Sequence, residues 1–327
     1  MVFRNFTLAC LAIGMMLSCE SSGKRDTSFL QDSVGNINSL QVVMTDALWN
    51  GEVGEEVRNY LAAPTDGLPQ EEPLYAMNQM APEIFTDFAR INRTFLRVDL
   101  GDTDTVMIKK SVYAKPQTGV FITGTSEQKL IELIRENQER IIAAFYITEI
   151  KEKQKRIRIS KLDIDSLQQR FGLSLDVSSA YRIAQSNEDF YWIRKDLKSS
   201  GSTNILVYEV PLDYIGQDST LITDIIRMRD SIGGSYLPVE DDGRFITEAA
   251  YAPLLFSTTL DGRFAYQTKG TWEVKDQYMA GPFVNYAVRD EAKNRYLIIE
   301  GFTYAPSMRK RNLQFELEAI IQSAKIE

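Results

Sequence analysis

The stretch that decides the fold runs over residues 125–156, TSEQKLIELIRENQERIIAAFYITEIKEKQKR. Thr125 and Gln128 stand where the N-cap and third residue of a capping box belong. Leu130, Ile134, Ile141 and Phe145 then recur on one helical face, interrupted at Asn137. Each of those side chains, once buried, stabilises by about 1.5–3 kcal/mol. The helix runs out in Lys151-Glu152-Lys153-Gln154-Lys155-Arg156. Basic charge suits the negative end of a helix dipole, so this block reads as a helix terminus and a domain boundary, not as a nucleic-acid patch.

Upstream, residues 40–45 form a short apolar strand. Val53, Val57, Tyr60 and Leu61 give residues 46–61 a helix face, stopped by Pro64. Residues 95–100 and 106–113 read as a hairpin across Gly101-Asp102-Thr103-Asp104, and 119–123 as another strand. Asp99, Asp102 and Asp104 lack the full oxygen-ligand loop and distal glutamate of an EF-hand, so no metal is expected.

Downstream, residues 162–171 predict a helix ended by Gly172, followed by strands at 181–185, 190–195 and 204–210. Leu221, Ile225, Met228 and Ile232 mark a helix closed by Gly233-Gly234. Asp242-Gly243 and Asp261-Gly262 have hairpin chemistry. Strands continue at 265–274, 283–289 and 296–304. A helix with Leu313, Leu317, Ile320 and Ala324 on one face ends the chain. Consecutive strands with short turns predict antiparallel pairing. Both halves close with hairpin strands, an apolar strand and a long helix, which suggests a duplicated unit.

The N-terminus fixes compartment. Arg4 precedes an apolar run, residues 6–17, too short to span a bilayer, and Ser18 follows. That order is a secretory signal. Met16-Leu17-Ser18-Cys19 reads as a lipobox, with Cys19 acylated and becoming the new N-terminus. The net charge of -8 becomes -9 when Arg4 leaves. An acidic chain repels phosphate backbones, so no nucleic-acid partner is expected.

The two cysteines, Cys10 and Cys19, go to the signal and the lipid, leaving no thiol in the mature domains. The chain has no histidine, which excludes Ser-His-Asp and Cys-His catalysis and His-based zinc sites. No cofactor is expected. Four parts follow: residues 1–18 a signal peptide, 19–35 a flexible tether, 36–156 and 157–327 two domains.

Candidate ligand or interface residues are few. In Gly67-Leu68-Pro69-Gln70-Glu71-Glu72-Pro73 the prolines stiffen a loop carrying two carboxylates, Glu71 and Glu72. Trp272 beside Gly270 suits either a pocket floor or plain core, and Trp49, at the start of the 46–61 helix, is a further candidate. Arg309-Lys310-Arg311 opens the last helix, where cations oppose the dipole. Either carboxylates of the other domain compensate Lys310 and Arg311, or the turn holds an anion.

Leu48-Trp49-Asn50-Gly51-Glu52-Val53-Gly54, Gly67-Leu68-Pro69-Gln70, Val112-Tyr113-Ala114-Lys115-Pro116-Gln117, Gly270-Thr271-Trp272-Glu273-Val274, Gly281-Pro282-Phe283-Val284 and Lys310-Arg311-Asn312-Leu313 together resemble the domain-of-unknown-function family 4837, lipoproteins of Bacteroidota-type bacteria. The resemblance spans nearly the whole mature chain. It implies an envelope lipoprotein, expected at the outer membrane with its facing side open, and supplies no activity or catalytic residue. Bacteria of that kind O-glycosylate Asp-Ser and Asp-Thr triplets, which makes Ser33 and Thr105 candidate acceptors. The same triplets are ordinary turn and cap chemistry.

These observations predict an α+β protein of two domains, each a mainly antiparallel sheet with helices packed on it. Its expected role is non-catalytic binding or assembly at the envelope, with the membrane, through the lipid on Cys19, and an envelope protein or glycan as partners. Two rivals stand. A carboxylate glycan hydrolase would pair Glu71 or Glu72 with an acid such as Glu273. A lipid or apolar-ligand carrier would need an enclosed apolar cavity.

Overall fold

In the computed structural model, which describes residues 28–216, 219–239 and 243–327, the chain settles into two large sheets joined by one long helix, with a third, two-stranded sheet in the second half. Strand β1, Ser39–Val43, leads into α1, Asp46–Asn50, whose N-cap hydroxyl on Thr45 accepts the Leu48 N–H. Gly51 breaks the helical run and α2, Glu52–Leu61, continues it. Then come β2 (Ala76–Met80), α3 (Asp87–Arg90), β3 (Thr94–Leu100), β4 (Thr105–Lys110), β5 (Thr118–Gly124) and α4 (Glu127–Ile157).

The first sheet has the order β2-β1-β3-β5-β4. Three of its pairings, β1 with β2, β1 with β3 and β3 with β5, are parallel, and only β4 runs antiparallel to β5. The α+β, two-domain architecture stands, but the antiparallel pairing expected for this half does not. Nor do β3 and β4 form the expected hairpin, because β5 inserts between them. The cause is burial on both faces. Leu40, Val42, Leu96, Val98, Val120 and Ile122 pack toward α2 and α4, while Val43 and Phe95 face a second cluster with Phe85.

Helix α4 is 31 residues long, about 46 Å at 1.5 Å per residue. Its N-cap is Ser126, which accepts the Lys129 N–H; Thr125 is instead held by Asp104. Leu130, Ile134, Ile141 and Phe145 lie in the first core as the periodicity predicts. Asn137 bends back to donate to the Leu133 carbonyl at 2.8 Å. Beyond Phe145 the helix changes partners, and Ile150 packs on Phe315 and Ala319 of the second half.

The second half contains α5 (Asp165–Phe171), ended by Gly172 at φ 64°, and β6 (Leu173–Ser174). Strands β7 (Arg182–Ser186), β8 (Phe190–Asp196) and β9 (Ser202–Pro211) precede α6 (Leu221–Tyr236). Then come β10 (Phe245–Thr247), β11 (Leu254–Leu260), β12 (Arg263–Val274), β13 (Ala280–Asp290) and β14 (Arg295–Tyr304). Helix α7 (Arg311–Ile321) and β15 (Lys325–Ile326) complete it.

The second sheet is antiparallel, in the order β10-β12-β13-β14-β9-β8-β7 with β11 also on β12. Helices α5 and α7 cover one face through Leu167, Phe171, Leu317 and Ile320. Helix α6 covers the other through Ile225 and Met228. The two sheets differ in pairing and order, so the expected duplication does not hold.

Asp261 and Gly262 make the predicted turn between β11 and β12, at φ 48° and 77°. Asp242 lies outside the described residues. Gly233 and Gly234 do not close α6; the helix runs through both to Tyr236. A Cβ at Gly233 would meet the Phe245 ring at 2.4 Å, so this glycine is there to let β10 approach.

The lipobox and Cys19 lie outside the described residues. The segment read as a flexible tether is already pinned at its end. Lys115 donates its N–H to the Gln31 carbonyl, Ser33 to that of Lys115 and Val34 to that of Ile91. Ser33 is half-buried, and its hydroxyl oxygen is buried with no hydrogen-bond partner among the described residues. Thr105 sits half-buried on β4, at the sheet edge. No helix among the described residues is long and apolar enough to cross a membrane.

Candidate functional site

The expected loop and the expected basic turn meet. Residues 65–73 leave the first domain and reach the start of α7. There the Glu72 carboxylate accepts the backbone N–H of Lys310 at 2.5 Å and that of Arg311 at 3.2 Å. The Arg311 guanidinium donates to the Pro73 carbonyl at 2.7 Å. A carboxylate on the first N–H groups of a helix satisfies donors that lack intrahelical partners, and it complements the dipole. The compensating group is therefore a carboxylate of the other domain, and it occupies the place an anion would take. The contact is made by backbone N–H groups; Lys310 Nζ turns away to the Met308 carbonyl. Glu71 is exposed and takes no part.

The Gly270 and Pro282 stretches also reach this junction. Gly67, at φ 76°, lies against Lys269 and Gly270 of β12, and a Cβ there would come within 2.9 Å of the Lys269 side chain. Gln314 of α7 donates to the Pro282 carbonyl at 2.7 Å. Between them is a small cavity of about 110 Å³, lined by Tyr75, Tyr146, Lys269, Arg311, Gln314 and Glu318 among others. Glu318 accepts from Gln267 at 2.9 Å and from Lys269 at 3.0 Å. Burial pushes the Tyr75 and Tyr146 phenols up, so both stay neutral. Nearby, Lys153 of α4 and Lys195 of β8 both pair with Glu316 of α7, which also accepts from the Tyr181 hydroxyl at 2.9 Å. Burial alone would raise the Glu316 pKa, but Lys195 and Lys153 hold it down at about 2.

Trp272 is elsewhere. It is 2% exposed on β12, stacks on Phe245 at 4.9 Å and donates its indole N–H to the Thr303 carbonyl at 3.2 Å. Its outer side lines an open cleft of about 370 Å³ at one end of the second sheet, with Trp192, Phe245, Phe302 and Tyr304. Arg194, Asn204 and Gln277 supply the polar part of the lining. Trp192 is fixed by its N–H bond to Asn204 at 3.0 Å, and Arg194 lies over its ring at 5.9 Å. Trp49 is in neither place; it packs in the first domain under Arg58, 4.7 Å from its ring.

Sequence reasoning missed the buried ion pairs. Arg93, just before β3, and Glu149 form a two-bond pair at 2.7 and 3.0 Å that ties this end of the first sheet to α4, and Glu149 also accepts the Asn38 N–H. Arg229 and Glu300 do the same at 2.8 and 2.7 Å between α6 and β14, with Asn285 on the same carboxylate. Arg229 also lies 3.3 Å over the Phe283 ring. Glu149 and Glu300 interrupt otherwise apolar faces, which is the one signal available beforehand. Both pairs have their hydrogen bonds satisfied, as buried charge requires.

The family described as Domain of unknown function (DUF4837) matches residues 160–323, and Domain of unknown function (DUF8532) matches residues 33–158. No curated protein matches the chain. Among solved structures, a protein of Bacteroides thetaiotaomicron VPI-5482 is similar at 10% identity and TM-score 0.27, over 47% of this chain and 45% of that one. LpqN of Mycobacterium tuberculosis, described as involved in cell envelope biogenesis, is similar at 13% identity and TM-score 0.28, over 47% of this chain and 82% of that one. The chain thus spans less than half the length of the first of these.

Proposed function

Because the chain belongs to the DUF4837 family, whose description carries no activity, we propose a function from the residues themselves: a lipid-anchored cell-envelope protein, held at the outer membrane through Cys19, that binds a glycan without cleaving it. The observation that carries the binding role is the aromatic cleft. Trp192 and Tyr304 present ring surface over a floor of the buried Trp272, Phe245 and Phe302, and Arg194 and Gln277 line its polar part. Its volume falls in the lower part of the range of small-molecule sites, roughly 300–1,000 Å³. Ring faces take the C–H faces of a sugar, and polar edges take its hydroxyls.

Two considerations favour binding over hydrolysis. Hydrolysis by paired carboxylates needs two such groups roughly 5–10 Å apart across a cleft. Glu72 is committed to the start of α7, Glu71 faces solvent, and Glu273 is not among the residues lining the aromatic cleft. Nor does this cleft suit an apolar carrier, since it is open and part of its lining is polar.

The test uses the three tryptophans of the chain. With Trp49→Phe, the two remaining indoles both report from the cleft. Titration with oligosaccharides released from the envelope is expected to change their fluorescence saturably, and Trp192→Ala is expected to abolish the response. A flat titration across the envelope glycans sinks this reading.

A further inference from the structure

Four large apolar side chains stand in water at one end of the first domain. Phe29, Ile84 and Phe88 are 90%, 62% and 86% exposed, and Val34 is 46% exposed. Backbone bonds hold their segments side by side. Val34 donates to the Ile91 carbonyl at 3.0 Å, just after the turn that carries Phe88. Lys115 Nζ donates to the Ser28 carbonyl at 3.2 Å, next to Phe29. Single exposed apolar residues are ordinary; several on neighbouring segments with a charged rim mark a contact surface.

The backbone presents them deliberately. Phe85 turns inward, with ring centroids 5.1 Å from Phe95 and 6.0 Å from Tyr113. Asp87, immediately before Phe88, adopts φ 36°, a conformation that non-glycine residues rarely take. The segment is thus anchored at Phe85 while Ile84 and Phe88 point away from the core.

Position in the chain says what covers this face. The described chain begins here, and Ser28 lies nine positions after Cys19, a reach of roughly 30 Å when extended. Asp32, Glu83 and Asp87 offset Arg90, Lys115 and Lys155 in charge. A face with a balanced rim gains nothing from anionic lipid and depends on apolar contact. We propose that Phe29, Ile84 and Phe88 dock into the surface of the bilayer that holds the lipid on Cys19. The inference rests on the lipid-anchored reading above. It gives the protein two membrane contacts, which turns a swivelling attachment into a fixed orientation.

The acylated protein tests it, because residues 20–327 contain no other cysteine. Phe88→Cys, and Ser231→Cys on exposed α6 as a control, each take an environment-sensitive thiol dye. Each protein is reconstituted in phosphatidylcholine–phosphatidylethanolamine vesicles carrying spin-labelled lipid. Dye at position 88 is expected to shift to the blue and to be quenched severalfold more than dye at 231, and Phe29→Ser with Ile84→Ser should reverse the excess. Equal, weak quenching on protein that floats with the vesicles overturns the docking face and leaves the anchor standing. Protein that does not float overturns both. A blue shift without vesicles that grows with protein concentration also overturns the proposal, because a second copy would then cover the face.

Discussion

The carboxylate of Glu72 accepts the backbone N–H of Lys310, 238 positions further along the chain, at 2.5 Å. A loop of the first domain thereby caps the last helix of the second. The basic first turn of α7 is tolerated because its negative partner comes from elsewhere in the fold.

Glu72→Ala is therefore expected to destabilise by about 2 kcal/mol, the loss of a cap plus N–H groups left partly buried without a partner. Glu72→Gln should cost less, because an acceptor remains. Glu71→Ala should be within about 0.5 kcal/mol of neutral, as for exposed positions generally. Reversing the charges of Lys310 and Arg311 should not rescue Glu72→Lys, since the bonds are to backbone. Denaturant unfolding of these variants decides it, and a rescue would place the contact on the side chains instead.

Stability should fall in acid through Glu316. Its folded pKa of about 2 lies below the ordinary 4.5, so its contribution is fully present above pH 4.5 and is lost as the pH drops toward 2. The amount is on the order of 3 kcal/mol. Unfolding free energy measured against pH should be flatter between pH 4.5 and 2 in Glu316→Gln than in the unaltered protein. Parallel curves would show that Lys153 and Lys195 do not hold this carboxylate.

Gly233→Ala should destabilise although it sits inside a helix. Alanine gains about 1 kcal/mol of helix propensity over glycine. Its Cβ would meet Phe245 at 2.4 Å, and that ring is stacked on Trp272 at 4.9 Å and cannot retreat. Overpacking of this kind costs about 1–3 kcal/mol. A rise in melting temperature would mean that β10 yields.

Cys19→Ser is expected to move the protein from the detergent phase to the aqueous phase. The acylated protein should melt at the same temperature with and without reductant, because residues 20–327 hold no thiol. A reductant-dependent melt would show that Cys10 is retained.

The local elements were legible in the sequence because their causes are local. The apolar spacing of Leu130, Ile134, Ile141 and Phe145 places one face of α4 in the core, broken only at the turn of Asn137. Gly172 and Asp261-Gly262 sit at the left-handed positions their residue types favour. The absence of histidine excludes whole classes of catalysis whatever the fold.

Tertiary structure alone decided how those pieces were joined. Residues β3 and β4 contribute look like a hairpin, and only burial of both sheet faces sends β5 between them. Gly233 looks like a helix stop until Phe245 arrives beside it. Glu71 and Glu72 are adjacent and chemically alike; the fold buries one on the N–H groups of α7 and leaves the other in water. Spacing along a chain carries periodicity and capping, which act over a few residues. Which carboxylate closes a helix more than two hundred residues away depends on how two cores pack together.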